Sequence, residues 1–229
     1  MDKIKQKRLV IILVAAIIIV DQIVKILVKT HMAIGEDVML IGEWCRLHFI
    51  ENEGFAFGMA FGGMAGKIFL TLFRVVASGL IIWYIHKLIK EGTSRTSFIA
   101  CLAVILAGAV GNIVDSCFYG LVFDKSGPYD VATLFPEQGG YAPFLQGKVV
   151  DMFYFPLFEF DWPDWVPIWG GEHFEFFSAI FNVADAAITI GVIWLVIELL
   201  FIQKEEKKAP VEEKNIEAEV AENELKIEN

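Results

Sequence analysis

Charge is scarce in this chain. Of its 229 residues only 21% are Asp, Glu, Lys or Arg, while 56% are hydrophobic and the mean hydropathy is +0.56. Such a balance excludes a disordered chain and is too apolar for a single water-soluble core. Cysteine is sparse as well. Cys45, Cys101 and Cys117 cannot all pair and show no CxxC spacing, which rules out a disulfide scaffold and argues against structural zinc. No HExxH or GxSxG string occurs, and His31, His48, His86 and His173 are scattered. Neither a metal hydrolase nor a serine-elbow hydrolase is indicated, and no metal or cofactor is expected. The formal charge of -10 argues against a nucleic-acid partner, although residues 203–229 hold nine Glu against five Lys and so account for -4 of it.

What the chain has instead is apolar runs. Four of them, at about 9–28, 66–86, 97–117 and 179–202, approach the roughly 20 helical residues needed to cross a bilayer. The first follows Lys3, Lys5, Lys7 and Arg8, as a secretory signal peptide would. However, no small-x-small cleavage pattern comes after Val20, and Asp21-Gln22-Ile23-Val24-Lys25 leads into further apolar residues, so this span reads as a retained helix. Basic residues in short loops mark the cytoplasmic side. Four precede the first span, and Lys87, Lys90 and Arg95 lie between the second and third, whereas the stretch 30–65 has only Arg46. Both termini are therefore expected in the cytoplasm, with loops 30–65 and 118–178 on the other face.

The expected architecture is an all-α membrane protein, a four-transmembrane-helix domain over 1–202 followed by an acidic, solvated cytoplasmic tail at 203–229. Alternation around Arg46-Leu47-His48-Phe49-Ile50-Glu51, followed by Gly54, Gly58, Gly62 and Gly63, predicts short strands and tight turns in the first outer loop. The second outer loop is long and aromatic, with Trp162, Trp165 and Trp169 among many Phe. It belongs either at the headgroup level of the membrane or in the core of a folded insertion.

Ionisable groups within membrane spans cost several kcal/mol unless paired or wet, so they are functional candidates. Here they fall at one level. Asp21 and Lys25 lie near the outer end of the first span, Asn112 and Asp115 near that of the third, and Asn182 and Asp185 near the start of the fourth. Spacings of four, three and three residues give each helix one polar face. Gly108, Ala109 and Gly111 on the third span and Ala184, Ala186 and Ala187 on the fourth allow close packing, so that these faces converge. Asp151, in an apolar stretch before the fourth span, joins this layer if the chain returns to the membrane there. Two carboxylates held close together share a proton, and such a pair activates a water and protonates a leaving group.

DQIVK at 21–25, NEGFAF at 52–57, GNIVD at 111–115, VVDMF at 149–153 and FNVADAAI at 181–188 together resemble, in order and on this topology, bacterial lipoprotein signal peptidase (signal peptidase II), from Lys7 to about Phe201. The resemblance implies an intramembrane aspartic endopeptidase of the bacterial cytoplasmic (inner) membrane. Such an enzyme removes signal peptides from diacylglyceryl-modified prolipoproteins, cutting before the lipidated cysteine. It puts the catalytic pair on Asp151 and Asp185 and gives supporting or substrate-binding roles to Asn182, Asn112, Asp115, Asp21, Lys25, Asn52 and Gly54. The strands of 30–65 would correspond to a small extracytoplasmic β-cradle. The implied partners are prolipoprotein, membrane lipid and a globomycin-type inhibitor, and the protein is expected to be a monomer.

Two departures from the family pattern stand out. Ser116 follows Asp115 where relatives commonly carry Arg, with Arg74 of the second span either a substitute partner or a side chain snorkelling to an interface. The 35 residues between Asp115 and Asp151, and the 33 between Asp151 and Asp185, exceed what compact members need. Cys45 and Cys117 either pair or stay as inert thiols. The rival readings are a small proton-coupled transporter, which would spread its carboxylates over several depths, and a non-catalytic lipoprotein assembly factor.

Overall fold

The computed structural model describes residues 2–53, 63–92 and 94–203. Among these, four helices are long and apolar enough to cross a membrane: α1 (Lys3–His31), α2 (Gly63–Glu91), α3 (Thr96–Val122) and α4 (Val183–Gln203). Each is reached as the apolar runs predict, but the bounds differ. α1 begins six residues early because Asp2 caps it, its side chain accepting from the Ile4 amide. α3 runs on past residue 117 because it widens into a π-helical turn over Asp115–Tyr119. α4 starts at 183 and not 179, since Ile180 and Phe181 are spent on a strand.

α3 is the most buried helix, with Ile99, Cys101, Ala103 and Ala107 fully enclosed. α1, α2 and α4 surround it and turn large apolar side chains such as Ile11, Phe69, Trp83 and Ile193 outward. That is the arrangement a lipid environment selects, because outward apolar groups cost nothing there. Close approach of α3 to α4 and to α1 depends on absent side chains. A Cβ on Gly108 would lie 2.2 Å from the Ala184 carbonyl oxygen, and one on Gly111 would meet Asp21 Oδ2 at 2.7 Å.

Among the described residues six strands are formed outside the helices: β1 (Asp37–Ile41), β2 (Cys45–Asn52), β3 (Val149–Tyr154), β4 (Phe158–Asp161), β5 (His173–Phe176) and β6 (Ile180–Phe181). The all-α description therefore holds for the membrane part alone. Strands do form in the first loop, but they are half of a four-stranded sheet, β1-β2-β3-β6, whose other half comes from the second loop. Pairing is antiparallel throughout, with Ile50 opposite Asp151 and Phe153 opposite Phe181. Beneath the sheet Phe49, Val150 and Met152 join Val28, Tyr119 and Phe123 in one buried cluster. β4 and β5 make a separate hairpin in which Phe158 stacks on Phe176 at 4.7 Å and Phe160 lies 5.0 Å from both Trp162 and Phe174. The aromatic loop thus contains a hairpin, in which Phe158 and Phe176 as well as Trp165 and Ile168 near the tip are exposed. Residues 204–229 of the acidic tail and residues 54–62, including Gly54, Gly58 and Gly62, lie outside the described residues.

Candidate active site

The polar faces converge as their spacing requires. Lys25, on the second turn from the end of α1, sits between two carboxylates, 2.9 Å from Asp21 Oδ2 and 2.8 Å from Asp115 Oδ2, and it donates to Asn112 Oδ1 at 2.9 Å. All three charged side chains are fully enclosed. Gln22 closes the group by donating to Asp21 Oδ2 at 3.1 Å and to Asp115 Oδ1 at 2.9 Å, while its own oxygen accepts from the Tyr119 hydroxyl. Asp21 also accepts from the Ala184 amide at 2.8 Å, which ties α1 to the first turn of α4. Here every carboxylate oxygen is matched by a cation, an amide or a backbone N–H, so the group binds helices together and has little left to offer a substrate.

Asp151 arrives by a different route. Where α3 widens, carbonyls are released from the helix ladder, and the returning chain takes them up: the Gly147 amide donates to Ser116 and the Leu145 amide to Cys117. Gly147 passes so close that a Cβ would lie 2.1 Å from the Asp115 carbonyl oxygen. This seats β3, whose Val150 amide donates to Asp115 Oδ2 at 3.3 Å. Asp151 follows, 1% exposed.

Around it the ligands are neutral. Asn182 Nδ2 donates to Asp151 Oδ1 at 2.6 Å and Asn52 Nδ2 to Asp151 Oδ2 at 3.1 Å. Asn112 Nδ2 donates to Asp185 Oδ1 at 2.8 Å, and Asp185 and Asn182 cap each other's backbone amides at the start of α4. Asn112 and Asn182 are themselves linked at 3.3 Å. Burial, and then the neighbouring Asp185 charge, push the Asp151 carboxyl up to about 7, against the opposing hydrogen bonds from Asn52 and Asn182. A group poised near neutrality beside a second carboxylate is what general acid–base chemistry asks for. Asp185, only half-buried, leaves the pair a way to reach substrate.

Of the residues singled out in sequence, Asp21, Lys25, Asn52, Asn112, Asp115, Asp151, Asn182 and Asp185 fall into this one continuous hydrogen-bonded assembly; Gly54 lies outside the described residues. Ser116 gives no substitute for an arginine, since its hydroxyl donates back to the Asn112 carbonyl. Arg74, half-buried on α2, interacts electrostatically with Asp185, Asp151 and Asp115 in that order. Cys45, Cys101 and Cys117 are free and buried. Among the described residues no group of three or more His, Cys, Asp or Glu is arranged to hold a metal ion.

A second charged network escapes sequence reasoning. Lys29 is buried against Glu51 and Ser126, with its ammonium over the Phe123 and Tyr141 rings. Lys148 joins Glu51 to Glu53, and Lys67 joins Glu53 to the Gln146 carbonyl. Burial alone would raise the Glu51 carboxyl, but Lys29, Ser126 and Lys148 hold it below its usual range. The network fastens α1, α2 and the 123–148 loop to the end of β2, where Asn52 reaches Asp151. One signal was present in the sequence: Asp21, Lys25 and Lys29 form a single stripe at intervals of four.

The sequence model of the family described as signal peptidase (SPase) II matches residues 13–201. A lipoprotein signal peptidase from Porphyromonas gingivalis is 45% identical over 197 residues, covering 86% of this chain and 85% of that protein. One from Amoebophilus asiaticus is 36% identical over 183 residues, covering 79% and 73%. Among solved structures, a bacterial membrane enzyme determined by the in meso method at 2.3 Å superposes with a TM-score of 0.56 at 23% identity over 86% of this chain and 90% of that one, a likeness of fold.

Proposed function

The chain belongs to the signal peptidase II family, and from that premise we propose that Asp151 and Asp185 form the catalytic dyad of an intramembrane aspartic endopeptidase. Its substrates are diacylglyceryl-modified prolipoproteins, cut before the lipidated cysteine. One observation carries the assignment: two carboxylates on different elements are brought together by the amides of Asn112 and Asn182, with no lysine in the bridge. The transporter and assembly-factor readings give way to the family match. So does any need for carboxylates at several depths.

In the proposed cycle the dyad holds one proton. The ionised member takes a proton from a water, whose oxygen attacks the scissile carbonyl carbon; the protonated member then gives its proton to the departing amide nitrogen as the C–N bond breaks. Asn52 and Asn182 orient Asp151, and Asn112 orients Asp185. Asp21, Lys25 and Asp115 act as positioning groups behind them. The four-stranded sheet serves as the cradle that holds substrate beyond the membrane. The protein is a multi-pass bacterial membrane protein, for which we place the helices in the inner membrane, with both termini in the cytoplasm and the sheet outside. It works as a monomer, and a globomycin-type inhibitor occupies the substrate groove.

Cleavage of a diacylglyceryl-modified prolipoprotein by the purified protein tests the proposal. Turnover should vanish in Asp151→Asn and Asp185→Asn, persist in chelator and stop with globomycin. Substantial turnover by a folded dyad variant would overturn it.

A further inference from the structure

On β3 the side chains of Asp151 and Phe153 leave the same side of the strand, because a strand alternates with period two, and Phe155 follows just past its end. Phe153 pairs across the sheet with Phe181, the residue preceding Asn182, with ring centroids 6.0 Å apart. Phe155 stacks on Phe181 at 5.6 Å and reaches Trp44, in the turn between β1 and β2, at 6.3 Å. Phe177 sets its edge against Phe181 at 6.2 Å. The result is a continuous aromatic row that begins beside the two carboxylates and ends at Trp44 and Phe177, which are 45% and 47% exposed. Rings left this open at the edge of a sheet are costly unless something covers them.

The row has a direction. α4 starts at Val183 and leads away from the carboxylates on one side, whereas the row follows β3 and β6 out of the bundle on the other. Phe155 and Phe177 both belong to the segment inserted between Asp151 and Asp185, so this surface is a property of the insertion. Given the proposed dyad, on which this inference rests, a substrate with its scissile bond there has its apolar signal segment among the helices and its mature chain leaving the bundle. Acyl chains need the lipid beside the helices, and the row moves away from it.

We infer that the row formed by Phe153, Phe181, Phe155 and Trp44 is a specificity subsite for the first residues of the mature polypeptide, on the C-terminal side of the lipidated cysteine. It prefers apolar side chains there. Flat ring faces bury such groups and provide few hydrogen bonds for polar ones. Phe177 forms its outer wall.

The test compares two diacylglyceryl peptides that are identical except for the three residues after the cysteine, leucine and alanine in one, serine and glycine in the other. The wild-type enzyme should favour the apolar peptide by about tenfold in kcat/KM, mainly through KM. Trp44→Ala and Phe155→Ala should bring that ratio close to one, and Trp44→Phe should restore it, at unchanged unfolding temperature. Equal loss on both peptides, or an unchanged ratio, would overturn the inference. So would variants whose defect follows acyl-chain length and not the mature residues, since that would give the row to lipid. Failure of the wild-type protein to cleave either peptide would strike the dyad reading, and the two failures are thereby kept apart.

Discussion

Two groups of carboxylates lie side by side in this molecule and are satisfied in opposite ways. Asp21 and Asp115 share Lys25 and are sealed from solvent. Asp151 and Asp185 are held by asparagine amides, and Asp185 is half open. Carboxylates that share an enclosed ammonium tie helices together; the Asp151 carboxyl, held by neutral amides beside a second carboxylate, keeps a proton within reach of neutral pH. On the proposed assignment, the partners of an acidic residue, more than its depth, separate support from chemistry.

The most forceful way to break this comparison is to neutralise one carboxylate in each group. Asp151→Asn or Asp185→Asn should cost on the order of 10⁴–10⁶ in turnover with the unfolding temperature nearly unchanged, and the double variant should cost little more, as expected for groups that act as a unit. Asp21→Asn should show the reverse, with measurable activity and a lower unfolding temperature. The next largest effect belongs to the cation. Lys25→Met leaves two buried carboxylates facing each other and should cost about 3–5 kcal/mol, read as a fall in thermal stability in detergent; an unaltered melting curve would contradict a supporting role.

Packing between the groups gives a smaller effect. Gly108→Ala puts a Cβ against the Ala184 carbonyl and should destabilise by about 1–3 kcal/mol, followed by the same melting assay. The finest test is of pH. With the Asp151 carboxyl near 7, activity should fall on the alkaline side of neutrality as the shared proton is lost, the profile reporting macroscopic constants of the pair. Asn52 donates to the ionised form, so Asn52→Ala should hold the proton to higher pH and move the alkaline limb upward, with a few-fold loss of rate. A downward shift would mean that Asn52 does not act on this carboxyl.

The membrane layer was legible in sequence for an energetic reason. Asp21, Lys25, Asn112, Asp115, Asn182 and Asp185 are expensive in apolar helices, and local spacing dictates which side they share. Asp151 was harder, because VVDMF reads equally as a strand or as a membrane-entering stretch. Its pairing with β2 joins residues about a hundred apart, and nothing local encodes that register. The merging of the two outer loops into one sheet was hidden for the same reason. Lys29, Glu51, Glu53, Lys67 and Lys148 each pass singly for surface charges, and only the fold reveals that they hold one another.

Lys25 has a bearing on how the protein is made. α1 precedes α2, α3 and α4 in the chain, and it carries Asp21 and Lys25 one turn apart, so each already offsets the other's charge within the helix. Its remaining polar demands are met by whatever is synthesised later: Glu51 from β2 for Lys29, Asp115 from α3 for Lys25, the Ala184 amide from α4 for Asp21. The nascent chain thus matures by successive closure on its first helix. A chain that stops before α3 therefore carries the Lys25 ammonium without its second carboxylate.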